Sequence, residues 1–390
     1  MSDGFKVPGK PDGMAAFLAP DGKVVLVINH ELGLNMTEFG PFEDNTSLPS
    51  KIDSSLCYDP GKNRTSPHLG GTSNLLYDPT TGKIETHFLS LLGTDRNCAG
   101  GAMPWGTWIT CEEPSDLISP RAKKHGYCFE VLANTEIGLQ KPVALKSLGR
   151  FRHEAVALDP ETGILYVTED QSDGLLYRFV PEKFTPGQRV DFTKGKLQAL
   201  SLIQDQKLDL RNYTEGQHNV AEGTSLKVTW IDLEDIDSPK DDLRARGYHA
   251  GATRFARSEG IHYDEGSFYL CATDGGPTRQ GQIFKLTPGK TDTLELFLQP
   301  SSSDLLNNGD NLTVAPSGDL IICEDLINEH SDETPHLRGV TPNGKIYTLA
   351  RNAKNKSEFA GSTFSPDGEI LFVNIQNPGI TLAITGPWQS

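Results

Sequence analysis

Cys98 and the adjacent pair Glu112 and Glu113 bracket one short stretch and offer a thiol and two carboxylates to a metal ion. Gly100 and Gly101 follow the cysteine and let backbone pass close to a neighbour. The aromatic and β-branched segment between the two ends, including Trp105, Thr107, Trp108, Ile109 and Thr110, reads as a strand. Taken alone, the stretch is a small buried cysteine beside a solvated acidic turn. What gives it chemical meaning is that the pattern recurs along the chain.

Each recurrence is a polar onset residue, a short strand, a turn and a second strand that usually ends in acid. The onsets are Asp12, Cys98, Glu154, Glu259, Asn311 and Glu358. The strand ends carry Glu31, Glu112 and Glu113, Glu169 and Asp170, Asp274, and Glu324 and Asp325. Asp-Gly, Pro-x-Gly and Glu-Gly turns between the strands supply the positive φ that a tight hairpin requires. Cys111, Cys271 and Cys323 lie late in apolar runs and read as core packing.

The elements that must position these residues are six meanders around a channel, an all-β, six-bladed β-propeller. No linker or low-complexity segment divides the chain, so residues 1–390 are expected to form a single domain. The polar, acidic segment 181–254 reads as a loop excursion on one face, and Asp310-Asn311 as loop. The last unit, 33 residues from Glu358 to Ser390, has room for about three strands. Its fourth is expected from near Phe5 to Val7, or from residues further upstream.

A propeller brings equivalent residues of every blade together at its axis. Several carboxylates crowded there repel one another and take up protons unless cations neutralise them. Hard oxygen donors in that number suit calcium, or a trivalent ion such as iron(III). Cys98 occupies an onset otherwise held by oxygen donors and points to a transition metal beside the calcium ions. Arg257, two residues before Glu259, shares its strand face and either presents a donor fork to a phosphate oxygen or neutralises nearby acids. Asn74 is a neutral donor or an ordinary turn residue.

Composition narrows the function. A net charge of −16 over 390 residues argues against nucleic acid or an anionic membrane surface as partner. No window has the 18 consecutive apolar residues of a membrane-spanning helix. The ten histidines lack HExxH spacing, and neither a Gly-x-Ser-x-Gly elbow nor a P-loop occurs. Met1 is followed by Ser-Asp-Gly-Phe-Lys, with neither a twin-arginine nor an apolar leader, which leaves a cytoplasmic location open.

Read in order, Pro11-Asp12-Gly13-Met14, Asn29-His30-Glu31, Asn97-Cys98-Ala99-Gly100-Gly101, Cys111-Glu112-Glu113, Phe151-Arg152-His153-Glu154, Arg257-Ser258-Glu259-Gly260, Cys323-Glu324-Asp325 and Gln376-Asn377-Pro378-Gly379 form a specific set. The set resembles the PhoX family of calcium-dependent bacterial alkaline phosphatases. The resemblance implies a six-bladed propeller holding Fe3+ and Ca2+ with a bridging oxo group, and hydrolysis of phosphomonoesters to release inorganic phosphate. It implies Cys98, Glu154 and Glu259 as metal ligands, joined by Glu112 or Glu113, Glu169 and Glu324. Arg257 and Asn74 are implied as contacts to the transferred phosphate, making Arg257, Asn74, Cys98 and Glu259 the catalytic set. The expected partners are small-molecule phosphate esters, with no nucleic acid or membrane, and the chain is expected to act as a monomer. Export to the periplasm or medium is implied by the family, as is a role in phosphate acquisition. The alternatives are a calcium-dependent propeller lactonase or phosphotriesterase, which needs no thiolate, and a non-catalytic, calcium-stabilised binding propeller.

Overall fold

Short strand-forming runs punctuated by Gly-containing turns fold as successive antiparallel meanders in the computed structural model, which describes residues 1–114, 122–204, 208–214, 220–325 and 333–388. The meanders begin with the strands Pro11–Leu18, Asn97–Met103, His153–Leu158, Ser258–Asp264, Gly309–Val314 and Phe359–Phe364. These strands pack side by side in that order, and Phe359–Phe364 closes the circle against Pro11–Leu18. The fold is an all-β propeller, and its α-helix among the described residues is Leu243–His249. The inner strands surround a largely apolar channel of about 630 Å³, lined by residues such as Ala15, Gly101, Val156 and Ile261.

Segment 181–254 does more than loop out. It supplies the strands Gly195–Leu202 and Ser225–Asp232 on the outside of the third meander. Ser225–Asp232 also pairs with Thr293–Leu298 of the fourth, fusing two meanders into one nine-stranded sheet. Alternating residues such as Leu200 and Leu202 are buried against Tyr166, Phe268 and Phe284, and this apolar period-2 pattern is what makes strands of them.

The last meander has three strands, Phe359–Phe364, Ile370–Ile375 and Ile380–Thr385. The expected fourth strand from Phe5 to Val7 is not there, because Phe5 packs edge-on against Phe42 in the apolar cluster beneath the first meander. Side chains close the ring instead. Asn374 Nδ2 donates to Asp12 O at 2.6 Å and Lys10 Nζ to Gln376 Oε1 at 3.0 Å.

All six inner strands carry a bulge at the same place, with two residues opposite one on the second strand. The bulged pairs are Asp12-Gly13, Cys98-Ala99, Glu154-Ala155, Glu259-Gly260, Asp310-Asn311 and Gly361-Ser362. A bulge re-aims its first side chain out of the sheet. Asp310-Asn311, expected as loop, is therefore strand, and Asp310 rather than Asn311 takes the onset place. In the sixth meander the place belongs to Gly361, not Glu358. Gly361 has φ +60°, and a Cβ there would stand 2.2 Å from Asp12 O, so only glycine lets the ring close. Gly361→Ala is expected to lower stability by about 2 kcal/mol or more, read from denaturant unfolding. An unchanged midpoint would mean that the seam relaxes freely.

Candidate metal centre

The bulges set five donor side chains around one end of the axis: Asp12, Cys98, Glu154, Glu259 and Asp310, all buried. Polar side chains on neighbouring strands stitch the bulged backbone in place. Asn29 Nδ2 donates to Cys98 O and Ala99 O, both at 2.8 Å, and Thr168 Oγ1 donates to Glu259 O at 2.7 Å.

A second tier comes from the ends of the second strands, where parity sorts each acid pair. Glu112, Glu169 and Glu324 lie opposite the residue just before the bulge in their own meanders. The residue that follows each, Glu113, Asp170 or Asp325, faces the other way, as successive strand residues must. Glu31 follows His30 in the same manner.

Two compact donor groups result. Ligand atoms of Glu31, Cys98 and Glu113 lie within 4.8 Å of one another, as do those of Glu154, Glu259 and Asp310. Cys98 Sγ is 3.4 Å from Glu113 Oε2. Arg96 Nη2 bridges Glu31 Oε1 at 2.5 Å and Glu113 Oε2 at 3.0 Å. Arg257 forks onto Asp170, with Nε and Nη2 at 2.7 and 2.9 Å from its two oxygens, while Nη2 also reaches Glu259 Oε1 at 2.7 Å. Lys10, Arg96, Arg257 and Asn308 stand two residues before a bulged donor, all with φ between 50 and 53°. That left-handed turn, uncommon for a residue with a Cβ, swings the chain into the bulge.

So many acids in so little water resist ionisation. Burial, then the charges of Glu259 and Asp310, raises Glu154 well above the usual carboxylate range. Burial and then Asp170 raise Glu259, with Arg257 opposing, and burial followed by Asp325 raises Asp310. Asp12 is raised by burial, then by Glu31 and Asp310. Glu113 is pushed up to about 8 by burial and Asp170, and the Cys98 thiol is raised by burial and then Glu154. Two guanidinium groups do not balance this charge. The donors fit polyvalent cations: a thiol with two carboxylates suits a transition ion, and an all-oxygen trio suits calcium.

Four site residues expected from the sequence are not brought to this mouth. Glu112 accepts from the amides of Asp95, Gly126 and Tyr127 and faces His125. Glu169 accepts from Tyr177 Oη at 2.7 Å and Leu175 N at 3.1 Å, and burial raises it to about 7. Glu324 accepts from Asn307 N, His336 N and Arg338 Nε. Each braces its own meander through these bonds. Asn74 is buried in the strand Gly70–Asp78 and donates to Leu132 O and Asn134 O, which tie it between the first two meanders. Conversely, Arg96 and Asp310 belong to this mouth and are not among the site residues expected from the sequence. The signal that finds Arg96 is the recurring basic residue two before an onset, in Lys10-x-Asp12, Arg96-x-Cys98, Arg152-x-Glu154 and Arg257-x-Glu259.

Comparison with known proteins adds the family. The alkaline phosphatase PhoX family matches residues 2–379. The chain belongs to that family. PhoX membership makes it a phosphoric monoester hydrolase acting on phosphate esters with the help of metal. Among solved structures, Pseudomonas fluorescens PhoX in complex with vanadate, a transition state analogue, matches with a TM-score of 0.69 at 20% identity, covering 95% of this chain and 84% of that one. It shows the same fold. The gluconolactonase XC5397 from Xanthomonas campestris matches at a TM-score of 0.46 and 9% identity, covering 98% and 88%. No curated protein matches the chain. No helix of the described residues is long and apolar enough to cross a membrane.

Proposed function

We propose that this PhoX protein hydrolyses phosphomonoesters at the acidic mouth of its channel, with iron(III) and calcium held by the bulged donors. The observation that carries the reading is the set of five equivalent bulges that aim Asp12, Cys98, Glu154, Glu259 and Asp310 at one axis. Glu31, Cys98 and Glu113 would hold the iron, and Glu154, Glu259 and Asp310 calcium. Asp12, Asp170, Asp325 and Glu358 add negative charge around them. When bound, the cations supply Lewis-acid polarisation of the phosphoryl oxygens and cancel the negative charge of the site.

The chain itself contributes orientation. Asp170 and Glu259 fix Arg257 through Nε and Nη2, and its side chain remains 27% exposed at the mouth. A guanidinium held rigidly in this way presents its Nη1 edge to an equatorial phosphoryl oxygen, and it stabilises the charge that gathers there in the transition state. Because Glu112, Glu169 and Glu324 hold their meanders with hydrogen bonds, the donor strands keep their spacing when an anion arrives. No serine nucleophile is called for. We further propose that the protein works as a monomer in the periplasm or outside the cell, where phosphate esters would be its substrates.

Arg257→Ala is expected to reduce kcat for a phosphomonoester by roughly 10²–10³-fold, the usual cost of removing one oxyanion donor. Arg257→Lys should recover little, since a point charge cannot grip Asp170 with two parallel bonds. The check is steady-state phosphate release at matched iron and calcium content. Full activity in both variants would confine Arg257 to charge balance.

A further inference from the structure

We infer that a second metal site, for one divalent first-row transition ion such as Zn2+, lies behind the acidic mouth and is formed by Asp59, His68 and His125. Ligand atoms of the three lie within 4.8 Å of one another, and all three side chains are buried. Both imidazoles turn Nε2 to the same oxygen: His125 Nε2 is 3.3 Å from Asp59 Oδ2, and His68 Nε2 is 4.0 Å from it. Both also have a carboxylate behind Nδ1. His125 Nδ1 meets Glu112 Oε1 at 2.7 Å, and His68 Nδ1 is 3.7 Å from Asp95 Oδ1. The carboxylate bonded to His125 Nδ1 orients that ring and points its Nε2 into the trio, the usual arrangement behind a metal-bound histidine, and Asp95 stands at the same end of His68.

The dimensions fit. Ligands about 2 Å from a tetrahedral zinc ion stand roughly 3.3 Å apart. Asp59 and His125 are already at that spacing, and His68 must close by roughly 0.7 Å. The two rings are stacked, with centroids 4.1 Å apart and planes 28° from parallel, so the His68 ring must turn out of the stack for both Nε2 lone pairs to meet at one ion. Asp59 is held for the task. Its Oδ1 accepts from Gly61 N and its Oδ2 from Lys123 N, both at 2.9 Å. A cavity of about 520 Å³, lined by Asp59, Gly61, Asn63, Thr65, Ser66 and His68, reaches the site from outside. It gives an ion a way in and leaves room for a water as fourth ligand.

Two histidines and a carboxylate select a borderline transition ion, whereas the oxygen-rich mouth selects hard ions. The site also gives Glu112 a function: it orients His125 from the back, while Glu113, the next residue, turns to the mouth. Three carboxylates and two imidazoles sealed together would otherwise be a costly concentration of polar groups. A bound ion would tie the segments around residues 59–68 and 122–127 to the strand Thr107–Glu112.

The test compares the iron- and calcium-loaded protein with its His68→Gln variant. Each is incubated with Zn2+, passed through gel filtration and analysed for metal by plasma mass spectrometry. The wild type should retain one zinc per chain more than His68→Gln, with equal iron and calcium in both. Zinc should raise the melting temperature of the wild type alone. Equal zinc in the two proteins would overturn the site and leave the trio as a buried ion-pair network. If His68→Gln does not fold, His68→Cys keeps a ligand at the position. Loaded with Co2+, it should show a sulfur-to-cobalt charge-transfer band that the wild type lacks, and the absence of that band would count equally against the site.

Discussion

A Cys98→Ala protein should be colourless and should lose at least about 10²-fold in phosphate release, because it lacks the sole thiol among the donors at the mouth. Calcium and carboxylates do not absorb visible light, whereas a thiolate on iron(III) does so by sulfur-to-metal charge transfer. The wild-type protein, concentrated, should therefore carry a visible band that disappears with the sulfur. Cys98 stands first in its bulge, with Sγ 3.4 Å from Glu113 Oε2 and within 4.8 Å of a Glu31 oxygen. Removing it leaves that group with oxygen donors only, and iron is held less firmly. Cys111→Ala is the control. Cys111 is fully buried on the strand opposite the same bulge, with Sγ 3.6 Å from that of Cys128, and packs with Ile109 and Val156. Its truncation should cost about 1–2 kcal/mol of stability and leave colour and activity intact. Undiminished activity in Cys98→Ala would return this cysteine to the core-packing role of Cys111.

Stripping the cations with a strong chelator should abolish activity and make stability depend steeply on pH. In the metal-free fold, Glu113 titrates at about 8, and Asp12, Glu154, Glu259 and Asp310 all lie well above their ordinary values. Between the unfolded carboxylate values, near pH 4, and these raised ones, the folded chain binds more protons than the unfolded chain. Its stability must then fall as pH rises through that window. The chelated protein is expected to melt several degrees lower at pH 8.5 than at pH 6, by scanning calorimetry. Calcium and iron ligate the deprotonated groups, so the loaded protein should lack this decline, and adding metal back at high pH should restore most of the lost melting temperature. A chelated protein whose melting temperature is the same at both pH values would show that the mouth carries no such charge.

The propeller was legible because hairpin chemistry is local. Asp-Gly and Pro-x-Gly turns, alternating apolar strands and acids at strand ends all repeat in the sequence. The onset residues Asp12, Cys98, Glu154 and Glu259 could be read directly, since the bulge places each at the start of an apolar strand. Asp310 and Gly361 could not. A bulge shifts the face of a strand by one residue, and nothing local separates Asp310 from Asn311 until pairing with Ile322 and Glu324 sets the register. The acid pairs failed for a related reason. Glu112 and Glu113 are equally acidic and differ only in which side of the strand they face, which the partner strand decides. Asn74 enters the expected site only through the family resemblance, whereas its amide is consumed by Leu132 O and Asn134 O of the next meander. The outer strands in segment 181–254 leave little local signal, because polar stretches separate them and Ser225–Asp232 finds a partner as far off as Thr293–Leu298. His68 and His125 are 57 positions apart and share no motif, so only the fold could show that they meet.

The most direct test of the metal centre measures iron, calcium and phosphate release on the same sample, before chelation, after it and after metal is returned. Iron together with calcium is expected in the sample at the start, with no turnover once both are gone and recovery that follows the metal restored. Full phosphate release from a sample shown to contain neither metal would contradict that expectation.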